Sequence, residues 1–136
     1  MRSPLAICGL CCCVVSLAQP IAPGDPAIGG YFYFAALDRK CPAPDAERAA
    51  ALERFKRHFV AGFRPLAQSY GAAGSKALQM LEDLERNGPS DEELVPFEPF
   101  FARASQGELA QICAEMAKQI DQRIALENRI REGLRK

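Results

Sequence analysis

Ser105-Gln106-Gly107-Glu108-Leu109-Ala110-Gln111-Ile112-Cys113-Ala114-Glu115-Met116-Ala117-Lys118-Gln119-Ile120 is the stretch on which the fold turns. Ser105 and Glu108 have the spacing of a capping box, in which the serine oxygen and a glutamate three places on satisfy each other's free backbone amides at a helix start. At about 100° per residue, Leu109, Ile112, Cys113, Met116 and Ile120 then share one arc roughly 120° wide. The pattern predicts a helix reaching about Leu134, roughly 29 residues and about 43 Å long, which exceeds the width of a domain this small. A long helix with one apolar face needs other helices to cover it, so the expectation is an all-α bundle of four to five helices.

Past Ile120 the same arc changes character. Arg123, Glu127 and Arg131 fall in its middle, flanked by Ile124, Ile130 and Leu134. Three charges in the core of a monomer would cost too much, so the last turns either leave the bundle or meet a surface that answers them. The expectation is a homodimer contact formed by Arg123, Glu127, Ile130, Arg131 and Leu134.

Cys113 lies on the apolar arc, so its partner must come from inside the bundle. Of six cysteines, Cys8, Cys11, Cys12 and Cys13 lie in an apolar N-terminal stretch, which leaves Cys41. That stretch has a basic start at Arg2, an apolar run from Leu5 and small residues at Ser16-Leu17-Ala18, the pattern of an export signal over residues 1–18 that is removed. It is shorter than the roughly 20 apolar residues a spanning helix needs, so no stable membrane anchor is expected after cleavage. An oxidising compartment, periplasmic or secreted, makes the disulfide Cys41–Cys113 the default pairing. The Cys8-Gly9-Leu10-Cys11 spacing carries no redox chemistry inside such a signal.

Cleavage leaves 118 residues, enough for one domain. Residues 19–30, with Pro20, Pro23, Pro26 and several glycines, read as an irregular leader, and 31–136 as a single helical domain. Tyr33, Phe34, Leu37 and Cys41 share a helical face; Pro42 and Pro44 end that first helix. Asp45 stands where an N-cap would, ahead of a second helix whose stripe is Leu52, Phe55, Phe59, Phe63 and Leu66. Pro65 predicts a kink or stop near Arg64. A third helix from Ser75 carries Leu78, Leu81 and Leu84 and ends at Asn87-Gly88-Pro89. Ser90-Asp91-Glu92-Glu93 has the form of a capping box, after which Pro96 and Pro99 limit any helix.

Seventeen basic and seventeen acidic residues balance, and removal of Arg2 leaves a formal charge of −1. Such balance argues against nucleic acid as a partner. Two local clusters survive within it. Arg54, Lys56, Arg57, His58 and Arg64 read as a solvated basic helix face, and the helical neighbours of His58 include no carboxylate or metal ligand. The acidic cluster comprises Glu82, Asp83, Glu85, Asp91, Glu92, Glu93 and Glu98. It is accompanied by Phe97, Phe100 and Phe101, and aromatic anchors bordered by one sign of charge are typical of an interface. Asp91, Glu92, Glu93, Phe97, Glu98, Phe100 and Phe101 are therefore the candidate partner-binding residues.

Nucleophile elbows, phosphate-binding glycine loops, zinc-binding histidine pairs and haem-attachment motifs are missing from the sequence, so no catalytic residue, metal or cofactor is expected. In size, export signal, helical content and single disulfide the chain resembles the small periplasmic immunity proteins that neutralise secreted bacterial toxins, a likeness of architecture that covers no motif. It implies a module that binds another protein, as inhibitor, immunity protein or secretion-system adaptor. A structural or assembly subunit of an envelope complex is the alternative, with a small-ligand carrier or hydrolase behind it.

Overall fold

The computed structural model describes residues 29 to 135. The export signal and residues 19–28 of the leader lie outside the described residues. Five α-helices and two 3-10 segments account for nearly all of the rest, with no strand among the described residues.

Helix α1, Gly29–Lys40, starts two residues before the expected boundary, because Gly29 and Gly30 form its first turn instead of ending the leader. The reason is proximity: a Cβ on Gly30 would stand 3.2 Å from the Phe55 ring and 3.5 Å from the Arg123 guanidinium. A side chain there would push the buried Phe55 ring aside by a few tenths of an ångström, and glycine lets the helix start without that shift. Tyr31, Phe34, Ala35, Ala36 and Leu37 are all buried, so α1 is apolar nearly all round and lies between the other elements. Arg39 and Lys40 close it, where cations suit the helix dipole.

Asp45 caps α2, Ala46–Ser69, by accepting from the amides of Glu47 and Arg48. The expected stop at Pro65 does not occur, and α2 continues for one further turn. Proline costs a helix one donor and crowds the carbonyl four residues back. Here that residue, Ala61, is exposed, so water can serve its carbonyl, while buried Ala67 anchors the extra turn. The anchor is a close approach: a Cβ on Gly74 would collide with the Ala67 carbonyl. Gly74 belongs to the 3-10 turn Gly71–Gly74, which leads directly into α3, Ser75–Asn87. Gly88, at φ 74°, ends α3 with its amide on the Leu84 carbonyl.

Ser90 and Glu93 complete the reciprocal capping box of the short α4, Asp91–Leu94, which runs into the 3-10 segment Val95–Phe100. The long α5 spans Gln106–Arg135, and the Ser105 hydroxyl accepts from the Glu108 amide at its start. Helix α2 is the hub: α5 packs along one side of it, α3 along another, and α1 fills the space beside them. Cys41 and Cys113 form the expected disulfide, which joins the end of α1 to α5. Leu37, Phe55, Val60, Met116 and Ile120 are the largest fully buried side chains. No helix among the described residues is long and apolar enough to cross a membrane.

Candidate functional site

The two flanks of α2 differ in chemistry. Towards α5 the contact is polar beyond the core. The Arg54 guanidinium donates to Asp121 at 3.0 and 3.1 Å, and one helical turn on, His58 Nε2–H donates to Glu127 Oε2 at 3.0 Å. The side chains of His58 and Glu127 are only 11% and 19% exposed, and Arg123 Nε stands 3.9 Å from the other carboxylate oxygen. A further turn on, Gly62 leaves the space in which the Arg131 guanidinium lies.

Arg123, Glu127 and Arg131, expected at a homodimer contact, lie against α1 and α2 within one chain. The surface that answers these charges is α2 of the same chain, running alongside α5. The charged part of the arc is therefore not left over by the fold. His58 was read as having no carboxylate near it because only its own helix was considered; Glu127 lies 69 positions away.

Towards α3 the contact is apolar and incomplete. Among the described residues, α3 packs on α2 and on the Gly71–Gly74 turn and on no other element, so no third described helix lies above its seam with α2. The result is a groove of about 340 Å³. Phe59, Phe63, Leu66 and Tyr70 line it from α2, and Ala77, Met80, Leu81 and Leu84 from α3; Phe32 of α1 forms part of the wall. Leu66, Tyr70 and Met80 remain 51%, 65% and 54% exposed at its margin. Among the described residues, Glu93 is the one carboxylate on the lining, whereas Glu82 of α3 lies on a separate surface with Ser75, Lys76, Leu78 and Gln79. On the α2 side, Arg64 donates to Glu85 at 2.8 Å.

The expected partner-binding residues divide between core, cap and surface. Phe97 and Phe101 are buried, against Phe32 and Tyr33 respectively, and belong to the core of the chain. The two buried rings lie four positions apart, and Phe100 between them stays exposed with its ring 5.9 Å from Tyr33. Asp91 is paired with Arg39, and Glu93 serves the capping box while reaching the groove. Glu92 and Glu98 are exposed. The expected dimer residues Ile130 and Leu134 are exposed too, on the outer side of α5.

Sequence reading missed Tyr70 and Met80 and placed Leu66 in a closed core. A signal was present, because apolar residues continue past Pro65 in α2 and recur as Ala77, Met80, Leu81 and Leu84 in α3. Two helices cannot bury that much apolar surface between themselves. No group of three or more His, Cys, Asp or Glu residues that could hold a metal ion gathers among the described residues. The chain matches no protein-family profile, no curated protein and no solved structure.

Proposed function

We propose that the protein is an exported binding module, without catalytic chemistry of its own, that holds an amphipathic helix of a partner protein in the groove between α2 and α3. The groove carries this reading: it lies between two helices, is lined almost wholly by apolar side chains and is bordered by exposed Leu66, Tyr70 and Met80. Helix-in-groove recognition uses such a surface, with anchors on the guest at helical spacing. Glu93, the carboxylate on the lining, favours a guest with basic flanks. The Cys41–Cys113 disulfide and the N-terminal signal pattern support the exported, periplasmic or secreted, setting. An inhibitor, an immunity protein and a secretion-system adaptor would each use such a groove.

The test is fluorescence anisotropy with two labelled helical peptides that share apolar anchors and differ only in flanks, one arginine-rich and one glutamate-rich. The basic peptide should bind at least tenfold more tightly, and Met80→Glu should weaken it at least tenfold. Because Met80 is half exposed, the melting free energy of that variant should stay within about 0.5 kcal/mol of the parent. Equal binding of the two peptides would remove the electrostatic part of the reading. A groove that takes a fatty acid or an apolar dye but neither peptide would make the protein a small-ligand carrier instead.

A further inference from the structure

The groove lies on the path by which the chain enters the fold. Helix α1 runs antiparallel to α2. Its last turn meets the start of α2 through Asp38 and Arg48, and its first turn meets the middle of α2, where the Tyr31 and Phe32 rings stand 5.9 and 5.4 Å from Phe59. Past Phe59, α1 has reached its start at Gly29 while α2 continues to Ser69. At about 100° per residue, Phe59, Phe63 and Leu66 fall within an arc about 60° wide. The groove is therefore the continuation of the stripe on α2 that α1 covers at Phe59, and the line of α1, extended backwards past Gly29, runs along it.

The sequence that precedes α1 suits such a surface. Gln19-Pro20-Ile21-Ala22-Pro23-Gly24-Asp25-Pro26-Ala27-Ile28 places proline at every third position and holds a single charge, Asp25. A polyproline II helix has three residues per turn, so a segment with this spacing can present Pro20, Pro23 and Pro26 on one face. Grooves lined by aromatic rings are what such ribbons dock on, and Phe32, Phe59, Phe63 and Tyr70 supply the rings here. Length fits as well: at about 3.1 Å per residue, Pro20 to Ile28 can span about 28 Å. Phe59 to Tyr70 along α2 is about 16 Å. We propose that the Pro20–Pro26 segment docks in the groove of its own chain and competes there with a guest helix. This deepens the proposed function and rests on the groove being a docking site. Direct continuity with α1 holds the segment at an effective concentration on the order of millimolar, so a weak contact suffices to cover Leu66, Tyr70 and Met80 until a guest displaces it.

Methionine methyl NMR tests this on the oxidised chain from Gln19 onward, whose two methionines are Met80, half exposed at the groove, and Met116, fully buried in the core. Replacing Pro20, Pro23 and Pro26 together by serine should move the Met80 signal and leave Met116 in place, with an unchanged circular-dichroism spectrum. A synthetic peptide of residues 19–28, added to that triple variant, should return the Met80 signal towards its parent position. In fluorescence anisotropy the triple variant should bind the arginine-flanked helical peptide at least threefold more tightly than the parent does. Met80 signals that coincide in parent and variant, and do not respond to the synthetic peptide at millimolar concentration, overturn the proposal; if both proteins then bind the helical peptide equally, the helix-docking reading still stands. A Met80 shift that the synthetic peptide reverses, with no binding of the helical peptide to either protein, keeps the docked segment and overturns the helical guest. A Met80 position in the parent that changes with protein concentration, together with a doubled mass by sedimentation, would put the segment in the groove of a second chain and overturn docking within one.

Discussion

Helix α2 is flanked on one side by α5 and on another by α3, and the two seams are built on opposite terms. The α5 seam combines fully buried Met116 and Ile120 with the Arg54–Asp121 and His58–Glu127 contacts, and α5 is tied to α1 by a disulfide. The α3 seam has Leu81 and Leu84 buried, Arg64 on the Glu85 carboxylate and Lys56 on the Glu85 carbonyl at its edge, and an open apolar trough above. Polar partners that fit only each other close a surface and fix its register. Apolar walls with no specified partner leave it adaptable. The same helix can therefore be a structural hub on one side and a recognition element on the other, and perturbing each seam should affect different properties.

The largest effect is expected from the covalent tie. Replacing Cys41 and Cys113 together by serine opens a loop closed over 72 positions, which in the chain-entropy model corresponds to about 4 kcal/mol of stability. Chemical denaturation of the parent and the double variant measures it. Peptide binding, assayed well below the melting temperature, should change less than threefold, because neither cysteine lines the groove. Loss of binding in a variant that is still fully helical would show that the two seams are not separable.

Tyr31 probes the core behind both seams. Its ring meets Phe55 edge-on at 6.1 Å and Phe59 at 5.9 Å, and Phe59 lines the groove. Burial, followed by the carboxylates of Glu53 and Glu93, pushes the phenol up to about 12 from its ordinary value near 10. Below pH 10 the phenol is neutral in both the folded and the unfolded chain, so its contribution to stability is fully present. Between about pH 10 and 12 the unfolded chain loses a proton that the folded one keeps, and stability falls by about 1.4 kcal/mol per pH unit, towards a total of about 2 to 3 kcal/mol. Urea titrations at pH 9 and pH 11.5 should show this fall as a difference between the parent and Tyr31→Phe. Identical slopes in the two proteins would place the phenol in contact with water.

Much of the frame was legible in the residues because it rests on local rules. Asp45 and Ser90 stand where a cap must stand, Gly88 ends its helix by a conformation glycine adopts readily, and the Cys113 face follows from helical period alone. What was not legible depends on which helices become neighbours. Pro65 is harmless only because Ala61 is exposed and Ala67 meets Gly74. Phe97 and Phe101 differ from Phe100 because Phe32 and Tyr33 of α1 cover them, a neighbour that no local rule supplies. The groove exists because, among the described residues, α3 has no neighbour besides α2 and the adjoining turn, an arrangement no single helix encodes.

The smallest of the three stability effects should come from the contact that most separates the seams. Glu127→Ala removes the acceptor of His58 and the nearest carboxylate of Arg123, leaving two polar groups in a largely enclosed site. Unpaired polar groups in such a place cost about 1 to 3 kcal/mol, and partial access to water puts the expectation in the lower half of that range. Glu127→Gln keeps an acceptor oxygen and should recover part of the loss, which a cavity effect alone would not produce. A double-mutant cycle with His58→Ala isolates the pair: coupling of at least about 0.5 kcal/mol is expected for groups in contact. Coupling near zero would mean that the α5 seam is held by its apolar layer alone, and that its polar contacts set register without adding stability. Met80→Glu on the opposite seam provides the contrast within the same assay, since it should leave stability nearly unchanged and alter binding instead.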